Sequence, residues 1–168
     1  MPSWDYPLHV NVLSVLSTVV SWGAGTILFY LISPWLAAGY LLLCMAVVIL
    51  SLKFRCSYCC YYGKRCATGL GLMSPLFFRK GDPSGFSDKR NILTVALPSF
   101  GALLLPLAGG VLGSIVSFSW VLMIVAVIYF LVAIPPGFAL QKNVYCKRCA
   151  QGKLGCPSYR MMQGGKLE

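Results

Sequence analysis

Cysteine is the one residue type in this chain that combines reactivity with a pattern. Cys56, Cys59 and Cys66 in "CSYCCYYGKRC" read C-x2-C-x6-C, and Cys146, Cys149 and Cys156 in "CKRCAQGKLGC" repeat that spacing. A C-x2-C turn presents two thiolates to one tetrahedral ion, so two such turns supply the four sulfurs of a structural zinc site. Cys56, Cys59, Cys146 and Cys149 meet that count. Two separate sites would use all six sulfurs and leave each triplet short of a fourth ligand. Cys60, beside Cys59, and His9, the only histidine, are candidates to complete the first.

Other chemistries use the same atoms. Cysteine thiolates hold iron–sulfur clusters, although a six-residue gap is not a familiar ferredoxin spacing. Arg55, Lys64, Arg65, Lys147 and Arg148 surround the thiols. Nearby positive charge lowers a thiol's pKa, as a dithiol/disulfide device requires, with Cys66 or Cys156 as the resolving thiol. A third possibility is a carrier of soft metal ions, for which Cys44, Met45 and Met123 offer a thin sulfur path. The C-x2-C turn resembles the knuckles of zinc-ribbon and rubredoxin-like sites. That resemblance is confined to these few residues and implies metal ligation without any particular activity.

General acid–base chemistry is poorly supplied. The carboxylates are Asp5, Asp82, Asp88 and Glu168, and neither a Ser, His and acid constellation nor H-E-x-x-H occurs. The expectation leans away from an enzyme. Zinc is the preferred cofactor and an iron–sulfur cluster the alternative.

The elements that must position these thiols are membrane helices. The 168 residues are 58% hydrophobic and 11% charged, too apolar for a soluble domain of this size. Residues 12–32, 34–52, 92–115 and 119–140 are each about long enough for a hydrocarbon core of roughly 30 Å. None contains Asp, Glu, Lys, Arg or His, which argues against a pump or a charged-substrate channel built from this chain alone. The first two spans are separated by little more than Ser33, and the last two by Val116, Ser117 and Phe118.

The expected fold is therefore an all-α integral membrane protein of four transmembrane helices, arranged as two tandem hairpins. Each hairpin precedes a cysteine triplet, which reads as an internal duplication: 1–66 and 92–168 are the repeats, and 67–91 the loop between them. All 14 basic residues follow the second or the fourth span. The positive-inside rule then places the N-terminus, the central loop and the C-terminal tail in the cytoplasm, where thiols stay reduced. "MPSWDYPLHVN" lacks a basic n-region, so the first span is expected to remain as an anchor.

Finer features have positional meaning. Trp35 and Trp120 open the second helix of each hairpin, at the outer interface. Ser14, Thr18, Ser21 and Gly25 share a face of the first helix, and Ser99, Ala102, Pro106, Gly109 and Gly113 a face of the third. Small faces let membrane helices approach closely, so these two helices are expected to pack together. Pro98, Pro106, Pro135 and Pro136 should free backbone carbonyls that neighbours or hydroxyls satisfy. Cys44 is read as packing.

In the central loop, Leu70, Leu72, Met73, Leu76, Phe77 and Phe78 run into Arg79 and Lys80, a composition suited to the lipid headgroup region. Anionic lipids account for the net charge of +10 with fewer assumptions than nucleic acid, which is not an expected partner. Other membrane subunits or further copies of the chain are the remaining partners. The functional expectation is a structural, assembly or accessory membrane subunit whose thiols bind metal.

Overall fold

A computed structural model describes residues 6–147, 149–153, 156 and 159, and these form helices and turns without a strand. Arg148, Asp5 and Glu168 lie outside the described residues. Four helices are long and apolar enough to cross a membrane: α1 (Leu8–Ile32), α2 (Pro34–Phe54), α4 (Lys89–Ser117) and α5 (Trp120–Leu140). Between them stands a short helix, α3 (Leu70–Phe77), and α6 (Ala150–Lys153) follows the last span.

Several helix ends lie beyond the limits set by apolarity alone. The first turn of α1 forms on Pro7, whose carbonyl accepts the N–H groups of Val10 and Asn11. Asp88 opens α4 by accepting the Arg90 N–H at 3.1 Å, so its first turn is polar. α5 contains Pro135 and Pro136 and continues into a π-helical turn, Gln141–Cys146. After the second span, by contrast, α2 ends at Phe54 and Cys56–Tyr58 form a 3₁₀ turn.

The chain divides into two compact units, and each draws on both halves of the sequence. One comprises Leu16–Val48 and Ala96–Gly137; the other comprises the described residues within Met1–Val15, Ile49–Val95 and Phe138–Glu168. The first holds the two short hairpin turns, the second all the triplet cysteines.

Within the first unit, α1 and α4 meet through the small residues marked out by their spacing. A Cβ on Gly109 would lie 2.8 Å from the Phe29 ring, and one on Gly113 3.2 Å from Ile32. Gly25 is tighter: its Cβ would come within 2.8 Å of the Tyr40 hydroxyl and 3.0 Å of Pro106. Leu28, Ala126, Tyr129 and Ala133 form one buried cluster, and Tyr40, Cys44, Val47 and Ala102 another. Cys44 thus packs as a small hydrophobe.

Pro106 has no N–H to give the carbonyl of Ala102 four residues earlier. The Tyr40 hydroxyl donates to that carbonyl at 2.8 Å, and the Tyr129 hydroxyl donates to the next one, Leu103, at 2.8 Å. Ser21 and Thr26 instead donate back to Ser17 and Trp22 in their own helix. At the two turns, Trp35 and Trp120 are exposed, and Phe118 takes a φ of 48°.

Candidate thiol site

The second unit gathers the two cysteine segments around a core that the spacing did not reveal. Tyr6, Val10, Tyr61 and Ala150 are buried together, and Cys59, Cys60, Cys66, Tyr145 and Cys149 pack against them. Tyr6 ties in the chain before α1: its N–H donates to Arg65 O at 3.2 Å and its hydroxyl to Tyr145 O at 2.6 Å. The Asn11 side-chain amide donates to Cys66 O at 2.9 Å. Three separate stretches of chain are thereby fastened at one place.

The two triplets are joined by a reciprocal pair of hydrogen bonds. The Tyr61 hydroxyl accepts the Ala150 N–H at 3.0 Å, and Gln151 Oε1 accepts the Cys60 N–H at 2.9 Å. Tyr61 and Gln151 each stand two positions after the second cysteine of their triplet, while Cys60 and Ala150 each stand one position after it. Equivalent positions therefore exchange equivalent bonds. Gln151 is buried, and its Oε1 also lies 3.8 Å from Cys59 Sγ.

Cys59 and Cys149, the middle members, are close enough for their charges to interact, and so are the outer pairs Cys56 with Cys66 and Cys146 with Cys156. Cys146 is buried and the other five are partly buried; every cysteine is a free thiol. Backbone N–H groups point at several sulfurs. Gly71 donates to Cys66 Sγ at 3.3 Å, Tyr61 to Cys59, and Gly152 and Gln151 to Cys149. Such donors favour a thiolate once it forms.

Burial nevertheless governs three of these thiols. It pushes Cys59, Cys60 and Cys149 above the ordinary cysteine range, outweighing the backbone donors at Cys59 and Cys149 and the Lys64 ammonium near Cys60. The direction at these positions is therefore opposite to the activation expected from basic residues, because desolvation of the thiolate costs more than the backbone donors and, at Cys60, the Lys64 ammonium return. Alkylation of the reduced, metal-free protein should follow that direction. Cys59, Cys60 and Cys149 will react more slowly than free cysteine at neutral pH, and their rates will keep rising at a pH where free cysteine has levelled off. Residue-resolved mass spectrometry across a pH series reads this; three profiles matching free cysteine would contradict it.

A preassembled metal centre is not present: among the described residues, no three His, Cys, Asp or Glu side chains converge so as to hold an ion. His9 is exposed at the start of α1. Cys60 gives its backbone N–H to Gln151, so its role in the arrangement comes from the main chain. Tyr6, Tyr61 and Gln151 are not reactive residues and stand outside the cysteine pattern. For Tyr61 and Gln151 the signal lay in the flanks of the two triplets, where "CCY" stands against "CAQ"; Tyr6 carries no such signal.

α3 completes the site from one side. Gly71 lies so close to the loop before it that an added Cβ would fall 2.6 Å from Tyr61 O and 2.7 Å from Lys64 O. Pro75 cannot donate to Gly71 O, and the Gly63 N–H does so instead at 2.9 Å. The Tyr62 hydroxyl donates to Phe78 O at 2.8 Å and holds the far end of the helix. Comparison with known proteins brings out no matching family model, no matching curated sequence and no matching solved structure.

Proposed function

We propose that this chain is a duplicated four-helix membrane subunit whose two cysteine segments form one metal-binding head, with zinc the preferred ion and a structural or assembly role. The observation that carries the proposal is the reciprocal bonding of Tyr61 with Ala150 and of Gln151 with Cys60, which fastens the two cysteine segments together with Cys59 and Cys149 near enough for their charges to interact. Exchange of equivalent bonds is what a twofold relation between repeats produces. The N–H groups directed at Cys59, Cys66 and Cys149 are the outer-shell donors that orient and stabilise metal-bound thiolates. Cys56, Cys59, Cys66, Cys146, Cys149 and Cys156 are the residues that would hold the ion, as thiolates.

The head is assigned to the cytoplasmic side, because every basic residue lies between the last turn of α2 and the first turn of α4, or after α5. A ligand set of Cys56, Cys59, Cys146 and Cys149 takes one zinc. All six triplet sulfurs, of Cys56, Cys59, Cys66, Cys146, Cys149 and Cys156, would instead be enough to hold two ions if sulfurs were shared between them. A thiol redox device is less well supported, since burial suppresses the thiolates of Cys59, Cys60 and Cys149.

Elemental analysis and a visible spectrum of anaerobically purified protein test the proposal. Stoichiometric zinc without colour is expected, lost in Cys59→Ser and Cys149→Ser and kept in Cys44→Ser. The count of one or two ions separates the two ligand sets. A coloured protein with iron and sulfide would replace zinc by a cluster. Absence of any bound metal would overturn the metal-binding head.

A further inference from the structure

α3 is two-sided. Gly71 and Ser74 are buried, Gly71 against the 61–66 loop, with Pro75 in van der Waals reach of the Gly63 position at 3.6 Å. The opposite stripe carries Leu72, Met73, Leu76 and Phe77, exposed by 50, 45, 79 and 63% respectively. The spacing i, i+1, i+4, i+5 makes these four a single helical face. Arg79 and Lys80 follow at once, both exposed.

We propose that this face of α3 docks on the anionic lipid surface of the same membrane the chain spans, with Leu72, Met73, Leu76 and Phe77 entering the headgroup boundary and Arg79 and Lys80 meeting lipid phosphate. Three observations select lipid as the occupant. The segment leaves one span, α2, and enters another, α4, so both of its ends are tied to the bilayer. The apolar stripe ends in two cations, the charge complement of an anionic leaflet. The inner face is already occupied by protein, and its close approach at Gly71 fixes which face turns outward. Because Gly71 also donates to Cys66 Sγ, the docked helix holds that end of the thiol site in place. The proposal stands whether or not the thiols take a metal.

The test uses the full chain with Leu76→Trp, reconstituted in vesicles of phosphatidylcholine alone or with phosphatidylserine. Emission is compared with that of the native protein, whose own tryptophans set the background. The expected result is quenching of the added indole by acyl-chain-brominated lipid and shielding from acrylamide. Both effects should be larger with phosphatidylserine, and that increment should vanish when Arg79 and Lys80 are changed to glutamine. An indole open to acrylamide in both vesicles overturns the proposal. So does one shielded from acrylamide and from bromolipid alike, which would place a second copy or another subunit on this face. Equal lipid quenching in both vesicles overturns the anionic specificity. Circular dichroism of Leu76→Trp against the native chain excludes a folding failure, and Phe77→Trp, on the same face, repeats the measurement.

Discussion

Replacing Gly71 with alanine will destabilise the thiol-bearing unit by about 1 to 3 kcal/mol, the usual cost of forcing extra volume into a packed site. The added Cβ would lie 2.6 and 2.7 Å from two backbone carbonyl oxygens, and backbone cannot swing aside as a long side chain can. Relief requires α3 to move away from the 61–66 loop. That movement breaks the Gly63 N–H to Gly71 O bond and withdraws the Gly71 N–H from Cys66 Sγ. Cys66 alkylation should therefore change in rate in the variant, since α3 both covers that sulfur and donates to it, while Cys149, held by other contacts, changes little.

Gly39→Ala is the control. Nothing lies within 4 Å of the Cβ it adds, and it sits inside α2. A helical glycine-to-alanine change of this kind is neutral or stabilising by up to about 1 kcal/mol. Thermal or denaturant unfolding in one detergent, with alkylation followed by mass spectrometry, measures both variants. Equal midpoints and equal Cys66 rates for the two would show that α3 is not seated on the loop as described.

The spans were legible because their cause is one-dimensional. Some twenty apolar residues without a charge can be counted along the chain, and α1, α2, α4 and α5 fall where that count puts them. The pairing of α1 with α4 was readable for a related reason: Gly25, Pro106, Gly109 and Gly113 recur at helical spacing, and small residues mark close approach. The cysteine repeat was equally plain in the sequence, yet it said nothing of what fastens the triplets together. That task falls to Tyr61 and Gln151, two chemically different side chains doing the same thing at equivalent positions by accepting a main-chain N–H. Residue identity does not disclose such a bond, because the backbone offers the same donor everywhere.

Proline shows the same division between the legible and the hidden. Both Pro106 and Pro75 must leave a carbonyl four residues earlier without its helical donor. Which group replaces the donor depends on the tertiary fold: a Tyr40 hydroxyl for Ala102, a loop N–H from Gly63 for Gly71. In each case the freed carbonyl becomes the acceptor that binds one element to another. A proline that would weaken an isolated helix is thus built into the packing of this one.

That account makes Tyr40→Phe the second large effect. Removing the hydroxyl orphans the Ala102 carbonyl in a buried, apolar setting where water cannot substitute. An unsatisfied buried acceptor costs about 1 to 3 kcal/mol, and hydrogen bonds measured within membrane proteins fall towards the lower part of that range. A loss of about 1 to 2 kcal/mol is expected from Tyr40→Phe, and a smaller one from Tyr129→Phe, whose acceptor Leu103 is not the carbonyl that Pro106 deprives of its donor. The decisive comparison is a double-mutant cycle with Pro106→Ala. Alanine restores an N–H at position 106 that can reach the Ala102 carbonyl within the helix. In that background Tyr40→Phe should cost markedly less, giving a coupling of about 0.5 kcal/mol or more. Strict additivity of the two substitutions, read from unfolding in detergent, would mean that Tyr40 is not answering for the missing proline donor.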